Sequence, residues 1–182
     1  MPGAIHDENP FLDPEDRRDP IRRVRGRLSM PVTVVTSGPA EGRAGLTVSS
    51  LMIAEGDLSR VHFLLGTESM VWDRIHQTGS FIVHILESRH RTMSAVFAGY
   101  RPSPGGPFVG LEVTDGEYGP ELDDVATRIY CRYESAAPGD GAYVLVTGII
   151  DRVELHDLRS PLQWFRGSYR RLAGDGADGA SS

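Results

Sequence analysis

The chain has 182 residues, of which 40% are hydrophobic and 24% charged, and its formal net charge is -6. This length and composition predict one globular domain with a single core, and the acidic balance argues against a nucleic acid partner, which requires a net basic face. No apolar run approaches the roughly 20 residues that span a bilayer, and the N-terminus lacks the apolar segment of a secretory signal, so we expect no membrane contact.

The single cysteine, Cys131, excludes an intrachain disulfide and is typical of a reducing compartment, so the sequence predicts a cytoplasmic protein. Cys131 lies in an alternating strand pattern at 127–134, where a small buried thiol is the expected role rather than a nucleophile. The histidines are scattered without metal-ligand spacing, so we predict no metal site.

The two ends of the chain differ in composition from its centre. Residues 1–18 are charged and rich in proline and are predicted to form a flexible arm, whereas 173–182 are small and polar and are predicted to be a disordered tail. Between them, 19–172 form the predicted domain. It opens with a helix that Asp19 caps and Pro20 begins, and this helix carries an apolar stripe before Pro31 ends it.

Two β-branched runs, 31–37 and 42–50, are predicted to form antiparallel strands across a turn. The second run ends in the hydroxyl side chains Thr47, Ser49 and Ser50. Such hydroxyls beside backbone N–H groups can hold a phosphate or the polar rim of a cofactor ring. The alternative is a strand end whose hydroxyls satisfy its own backbone.

A buried strand is predicted at 61–65, followed by a helix at 70–77 for which Ser69 is the expected N-cap. Because the first N–H groups of a helix are free, Thr67 and Ser69 are candidates to share a phosphate. The alternative for Ser69 is a helix cap with no further role.

The second half of the chain contains further short elements. A strand is predicted at 81–86 and a helix at 88–97, and the loop 100–107, rich in proline and glycine, suits a lid or a crossing to a neighbour. Strands are predicted at 127–134, 143–153, 162–166 and 168–172. Many short strands with few helices indicate a closed or nearly closed antiparallel barrel, which leaves no exposed edges.

The order of these motifs resembles the flavin reductase-like proteins. The resemblance covers about 21–172 and rests on the segments 22–36, 42–50, 78–86, 96–99 and 161–172. It implies a mainly β protein with a few helices, built as an FMN-binding split β-barrel of antiparallel, Greek-key type. It also implies a homodimer with the flavin in a groove at the interface.

The function implied by the resemblance is a flavin reductase that transfers a hydride from NADH or NADPH to FMN or FAD and can supply reduced flavin to a partner monooxygenase. Because the flavin itself carries the redox step, no catalytic acid, base or nucleophile is required. The expected cofactor-binding residues are Thr47, Ser49, Ser50, Thr67, Ser69, Trp72, Phe97, Arg166 and Tyr169.

Four of these residues have a second interpretation. Trp72 and Phe97 lie on helices, where an aromatic side chain commonly packs in the core. Arg166 and Tyr169 belong to the C-terminal match, and a role in strand pairing is as well founded as contact with the flavin or a partner subunit.

One departure from the family pattern bears on the hydride donor. Many members carry Gly-Asp-His at the start of a late strand, with the histidine near the flavin and the nicotinamide, whereas this chain has Gly-Asp-Gly-Ala-Tyr at 139–143. The alternatives are therefore a flavin-binding protein without nicotinamide-dependent activity and a structural barrel that has lost its cofactor.

Overall fold

Strands dominate residues 19–139, 141–157 and 159–172, which are the residues that the computed structural model describes. The strands are β1 Met30–Pro31, β2 Thr33–Ser37, β3 Ala44–Val48, β4 Met52–Ala54, β5 Arg60–Gly66, β6 Ser80–Ile85, β7 Val113–Gly116, β8 Gly119–Leu122, β9 Arg128–Pro138, β10 Tyr143–Glu154, β11 Leu162–Phe165 and β12 Ser168–Arg171. The helices are α1 Pro20–Arg25, α2 Met70–Thr78 and α3 Arg91–Phe97, with 3₁₀ turns at Ala40–Gly42 and Ser88–His90. The predicted arm 1–18 and tail 173–182 lie outside the described residues and remain predictions.

The predicted elements are confirmed, with corrections at their ends. α1 begins as expected, because the Asp19 carboxylate accepts a hydrogen bond from the N–H of Ile21 at 2.8 Å, but it ends at Arg25 instead of continuing towards Pro31. The predicted helix 88–97 is a 3₁₀ turn followed by α3, and a capping box between Glu87 and His90 separates them. β4 and the β7–β8 hairpin were not predicted.

Seven strands form one antiparallel sheet in the order β3-β2-β6-β9-β10-β5-β4. Its two edge strands, β3 and β4, are consecutive in the chain and are joined only by 49–51. Such a link reaches at most about 14 Å, so the sheet must curve until its edges approach each other. The antiparallel barrel-like fold of the prediction follows from this connection.

Two smaller sheets complete the fold, namely β1-β11-β12 and the hairpin β7-β8. The larger of two core clusters is enclosed by the curved sheet and α2, and it includes Phe63, Ile75 and Phe81. The second cluster lies between β2, α3 and the β11–β12 pair and includes Val34, Phe97 and Leu162. β3 contacts both α2 and α3, so the end of this strand is the part of the fold that positions the candidate site.

Candidate cofactor site

The hydroxyls at the end of β3 have different hydrogen-bond partners. The Thr47 hydroxyl donates a hydrogen bond to the Ser94 carbonyl of α3, with 2.7 Å between the two oxygen atoms. Ser50 Oγ instead accepts from the N–H of Leu64 on β5 at 2.9 Å, which leaves its own proton free to donate. Within the part of the chain that the structure describes, the Ser49 hydroxyl has no hydrogen-bond partner. Ser49 and Ser50 can therefore both donate to a ligand, whereas Thr47 can only accept.

The start of α2 presents a second donor. Ser69 Oγ accepts from the N–H of Trp72 at 3.3 Å, which confirms the predicted N-cap and leaves the Ser69 proton available. The positive end of the helix dipole and the free N–H groups of the first turn favour an anion here. Ser69 thus combines the cap with the capacity to bind a phosphate oxygen.

Thr67 has a structural task that its sequence position did not reveal. Its hydroxyl donates to the Gly141 carbonyl at 3.2 Å, and its N–H donates to the Ala142 carbonyl at 3.2 Å. These two bonds hold the β9–β10 hairpin against the start of α2. Because the Thr67 hydroxyl already donates its hydrogen bond to the Gly141 carbonyl, it cannot also donate to a phosphate oxygen.

The same hairpin is the segment where the sequence lacks the histidine of the family pattern. Gly141 has φ +96°, a conformation that side-chain-bearing residues rarely adopt. The adjacent Tyr143 is 54% exposed and is paired in register with Gly66 of β5. An exposed aromatic side chain therefore lies two residues after Gly141, the position where the family pattern has histidine.

Ser94 connects two of the predicted residues and was missed by sequence reasoning. Its Oγ is hydrogen-bonded to the hydroxyl of Tyr169 at 2.9 Å, and its carbonyl accepts a hydrogen bond from the Thr47 hydroxyl. Burial raises the pKa of Tyr169, and the Ser94 hydrogen bond opposes part of that rise. A polar residue on the buried face of a helix was the signal that could have identified Ser94, which is fully buried.

The remaining candidates occupy packing or turn positions. The Trp72 ring is half-buried and meets Tyr133 edge-on, with ring centroids 5.9 Å apart. Phe97 is 3% exposed and packs in the core, so packing accounts for this residue without a cofactor. Arg166 is exposed in the β11–β12 turn with φ +52°, and its N–H donates to the Gly26 carbonyl at 3.0 Å. None of the three side chains shares a hydrogen bond with the predicted hydroxyls among the described residues.

Other sequence-based expectations concern residues outside the candidate site. Cys131 is fully buried in β9, as predicted, and burial raises the pKa of its thiol, which disfavours the nucleophilic thiolate. Among the described residues, no group of three or more His, Cys, Asp or Glu side chains is arranged to hold a metal ion. In the same residues, no helix has the length and apolar character needed to cross a membrane.

The described residues form an antiparallel β domain with free hydroxyl donors just after β3 and at the capped start of α2. Residues 25–173 match the family model of the flavin reductase like domain, and the chain belongs to this family.

Three similar proteins illustrate the family. The NADH-dependent FMN reductase AsuE2 of Streptomyces nodosus subsp. asukaensis is 34% identical over 174 residues, covering 93% of this chain and 91% of that protein. The reductase component of 4-hydroxyphenylacetate 3-monooxygenase from Thermus thermophilus is 27% identical over 155 residues, covering 85% of this chain and 97% of that protein. The solved structure of the NADH:FAD oxidoreductase SgcE6 of Streptomyces globisporus with NAD and FAD fragments has a TM-score of 0.78 and 23% identity, over 91% of this chain and 98% of that chain, and supports the fold.

Proposed function

We propose that the protein is a flavin reductase that transfers a hydride from NADH or NADPH to FMN or FAD. The observation that carries this proposal is a set of free hydroxyl donors on two elements that contact each other: Ser49 and Ser50 follow β3, and Ser69 caps α2. Membership of the flavin reductase like domain family and similarity to an NADH-dependent FMN reductase support the same activity.

The residues of the candidate site suit binding and orientation of a cofactor. When bound, the flavin accepts a hydride and passes its electrons to an acceptor. Ser69 and the free N–H groups of α2 hold the phosphate, and Ser49 and Ser50 donate to the polar edge of the ring or to the ribityl chain. Thr47 can accept a hydrogen bond there, because its own proton goes to Ser94.

The other four predicted residues stand in different relations to these hydroxyls. Tyr169 meets the site through Ser94, and Phe97 supports β3 from the core. Trp72 lies in the first turn of α2, on the phosphate side. Arg166 lies further out, on the turn beside α1.

Exposed apolar side chains on β4, β5 and β10 support a homodimer. The outer face of β4, β5 and β10 carries Met52, Leu64 and Tyr143. On β5, His62, Leu64 and Gly66 alternate along the strand and so lie on one face. Met52 pairs with His62 and Tyr143 pairs with Gly66, which places both side chains on that same face. Met52, Leu64 and Tyr143 are 59%, 48% and 54% exposed. A second copy covering this apolar face would place the candidate flavin site next to both chains.

A monooxygenase is the proposed acceptor of the reduced flavin, and the reducing cytoplasm is the proposed compartment. Similarity to the reductase component of a monooxygenase supports the proposed acceptor, and a single buried thiol suits the proposed compartment.

The second candidate function is flavin binding without nicotinamide-dependent reduction, and the glycine at position 141 favours it.

The test of the phosphate site separates capping from phosphate binding. Ser69→Asp keeps an N-cap acceptor but places a negative charge where the phosphate would lie. We expect FMN affinity to fall by at least about tenfold and riboflavin affinity to change by less than about threefold, since a hydrogen bond to a charged group is worth ~1.5–3 kcal/mol. The measurement is flavin fluorescence titration, with the melting temperature as the control for the cap.

Equal losses for FMN and riboflavin would exclude Ser69 from phosphate binding.

Anaerobic mixing with NADH and NADPH then tests the reaction itself. We expect the flavin absorbance near 450 nm to bleach, with a high Michaelis constant, because one polar contact to the nicotinamide is missing. If the flavin stays oxidised with millimolar NADH and NADPH, the reductase activity is excluded and the flavin-binding alternative takes its place.

A further inference from the structure

The junction between the 3₁₀ turn Ser88–His90 and α3 depends on the side chain of His90. This imidazole is 2% exposed, and its Nδ1 accepts a hydrogen bond from the N–H of Glu87 at 3.0 Å. A ring nitrogen that accepts carries no proton, so the proton of the neutral ring is on Nε2. Nε2 lies 3.2 Å from the Asp124 carbonyl and donates to it. The contact with Glu87 therefore exists only while the ring is neutral.

This junction lies between two anchored segments. Before it, the N–H of Ser88 donates to the Ser160 carbonyl at 2.8 Å, which fixes the 3₁₀ turn to the chain before β11. After it, Ser94 fixes α3 to two further elements, because its carbonyl accepts from the Thr47 hydroxyl and its Oγ is bonded to the hydroxyl of Tyr169. The imidazole thus joins the anchored turn to the helix that carries Ser94.

Open space adjoins the same histidine. A cavity of about 300 Å³ lies between α3 and the loop 103–111, and His90, Arg89 and Asp124 are among the residues that line it. The side chains of Arg89 and Asp124 are 51% and 61% exposed, so water reaches the part of the cavity around them. An imidazole that leaves the N–H of Glu87 therefore has solvent-accessible space to enter.

The charged groups around His90 lie on its own turn, after β8 and on β6. Burial is the main cause that lowers the pKa of His90, and Arg89 adds to it, whereas Asp124 and Glu87 act in the opposite direction. The Asp124 carboxylate lies 3.3 Å from Nε2, and a charge on His90 would lower the pKa of His84 on β6. A released imidazole, with the ordinary pKa of about 6.5, binds a proton more tightly than the buried one. Acidification therefore favours release.

We propose that His90 is a pH-sensitive latch, which holds the start of α3 when neutral and releases it when the ring takes up a proton. A proton on Nδ1 faces the N–H of Glu87, so this hydrogen bond breaks. The start of α3 then loses its tie to the preceding turn, and the hold of Ser94 on Thr47 weakens. Because Thr47 belongs to the candidate cofactor site, acidification below about pH 6.5 also weakens cofactor binding, and this last consequence rests on the proposed function.

The test measures amide hydrogen exchange of the full-length protein by NMR from pH 7.5 to pH 4.5, without cofactor. The reporter is the N–H of Ala98, which donates to the Ser94 carbonyl at 2.9 Å. Dividing by the intrinsic exchange rate at each pH gives a protection factor that reports the opening of α3. We expect protection to fall by up to about tenfold per pH unit from pH 6.5 down to the lowered pKa of His90.

Two histidine variants assign this fall to one ring. His90→Asn keeps an acceptor for the N–H of Glu87 but cannot titrate, so we expect its protection to change little with pH. His84→Gln is the matched control, because it removes the buried histidine of β6 and leaves the latch intact. The control is expected to keep the pH response of Ala98. The melting temperature of each variant is recorded to show that it folds.

A second pair of variants separates a latch from a loss of stability. Asp124→Asn and Arg89→Gln both remove the ion pair between Arg89 and Asp124. The first removes a charge that raises the pKa of His90, and the second removes a charge that lowers it. We therefore expect the total loss of protection on acidification to be larger than in the wild type for Asp124→Asn and smaller for Arg89→Gln.

Protection of Ala98 that does not depend on pH would overturn the proposal, and so would an undiminished response in His90→Asn. Equal responses of Asp124→Asn and Arg89→Gln would also overturn it, because they would show an effect of the lost ion pair alone. These measurements use no cofactor and are therefore distinct from failure of the proposed function. That failure would appear as absent FMN and riboflavin binding by the wild-type protein at pH 7.5.

Discussion

At the scale of single residues, His84 shows how a buried titratable group can link strands. It is fully buried, its Nδ1 lies 3.2 Å from the Val34 carbonyl, and its Nε2 accepts from the N–H of Leu122 at 3.1 Å. The ring is therefore neutral with its proton on Nδ1, and it ties β6 to β2 and to the β7–β8 hairpin. Burial is the main cause that lowers the pKa of His84 to about 3.

The pH dependence of stability follows from this neutral histidine. Its pKa is below the ordinary value of about 6.5, so the unfolded chain binds the proton first as the pH falls. We expect the free energy of unfolding to decrease by about 1.4 kcal/mol per pH unit below pH 6.5 from this group, until the folded pKa is reached. Urea denaturation at pH 7, 6 and 5 measures the slope.

The matched variant is His84→Gln, which lowers the overall stability but removes the titrating ring. Burial also lowers the pKa of His90, so the informative quantity is the difference between the two pH profiles. We expect the profile of the variant to be flatter. Parallel profiles would show that His84 does not titrate on unfolding in this range.

At the scale of elements, the contact of β3 with α3 sets the position of the candidate site. A Cβ at Gly45 of β3 would lie 2.4 Å from Cε1 of Phe97, the last residue of α3. The strand and the helix can approach this closely only because position 45 has no side chain. The same approach brings Ser94 to Thr47.

Gly45→Ala is therefore expected to destabilise the fold by about 1–3 kcal/mol through overpacking. Gly56→Ala is the control, since the nearest atom to its added methyl group is the Leu58 carbonyl oxygen at 3.9 Å. Phe97→Leu in the Gly45→Ala background is expected to restore part of the stability, because it removes the clashing ring edge. Chemical denaturation of the single and double variants measures these energies, and equal stability of the two alanine variants would contradict the packing argument.

At the scale of the whole molecule, the chain separates its surfaces by character. Exposed arginines, among them Arg22, Arg23 and Arg171, lie on α1 and β12, whereas the apolar outer face of β4, β5 and β10 carries Met52, Leu64 and Tyr143. Symmetric association is favoured at the second surface and opposed at the first, because like charges repel and apolar side chains do not.

The proposed homodimer predicts the effect of a charge at the centre of the apolar face. Leu64→Arg should convert a particle of twice the 19.9 kDa chain mass into a monomer, because an unpaired charge would have to be buried in the interface. Leu155→Arg is the control, since Leu155 is 80% exposed and follows the far end of β10. Light scattering after size exclusion gives the masses, and a wild-type monomer with stoichiometric flavin would refute the shared site.

Local patterns in the sequence were sufficient for most of the elements, though not for β4 or the β7–β8 hairpin, and for the positions of the hydroxyls. Asp19 with Pro20 and Ser69 mark helix starts because capping depends on neighbouring backbone groups only. β5 is visible because burial alternates along it with the period of a strand, and β6 is visible as a short, continuously buried run. β4 escaped prediction because its three residues are all exposed and show no alternation.

What each hydroxyl can do was decided by the tertiary structure. Thr67 and Ser69 are two residues apart, yet Thr67 donates its proton to Gly141, while Ser69 keeps its proton free. Thr47 and Tyr169 converge only because Ser94 lies between them in space. The sequence by itself determines which donors and acceptors exist and on which element they lie. Their partners come from distant segments of the chain, so only the folded structure determines which of them remain free for a cofactor.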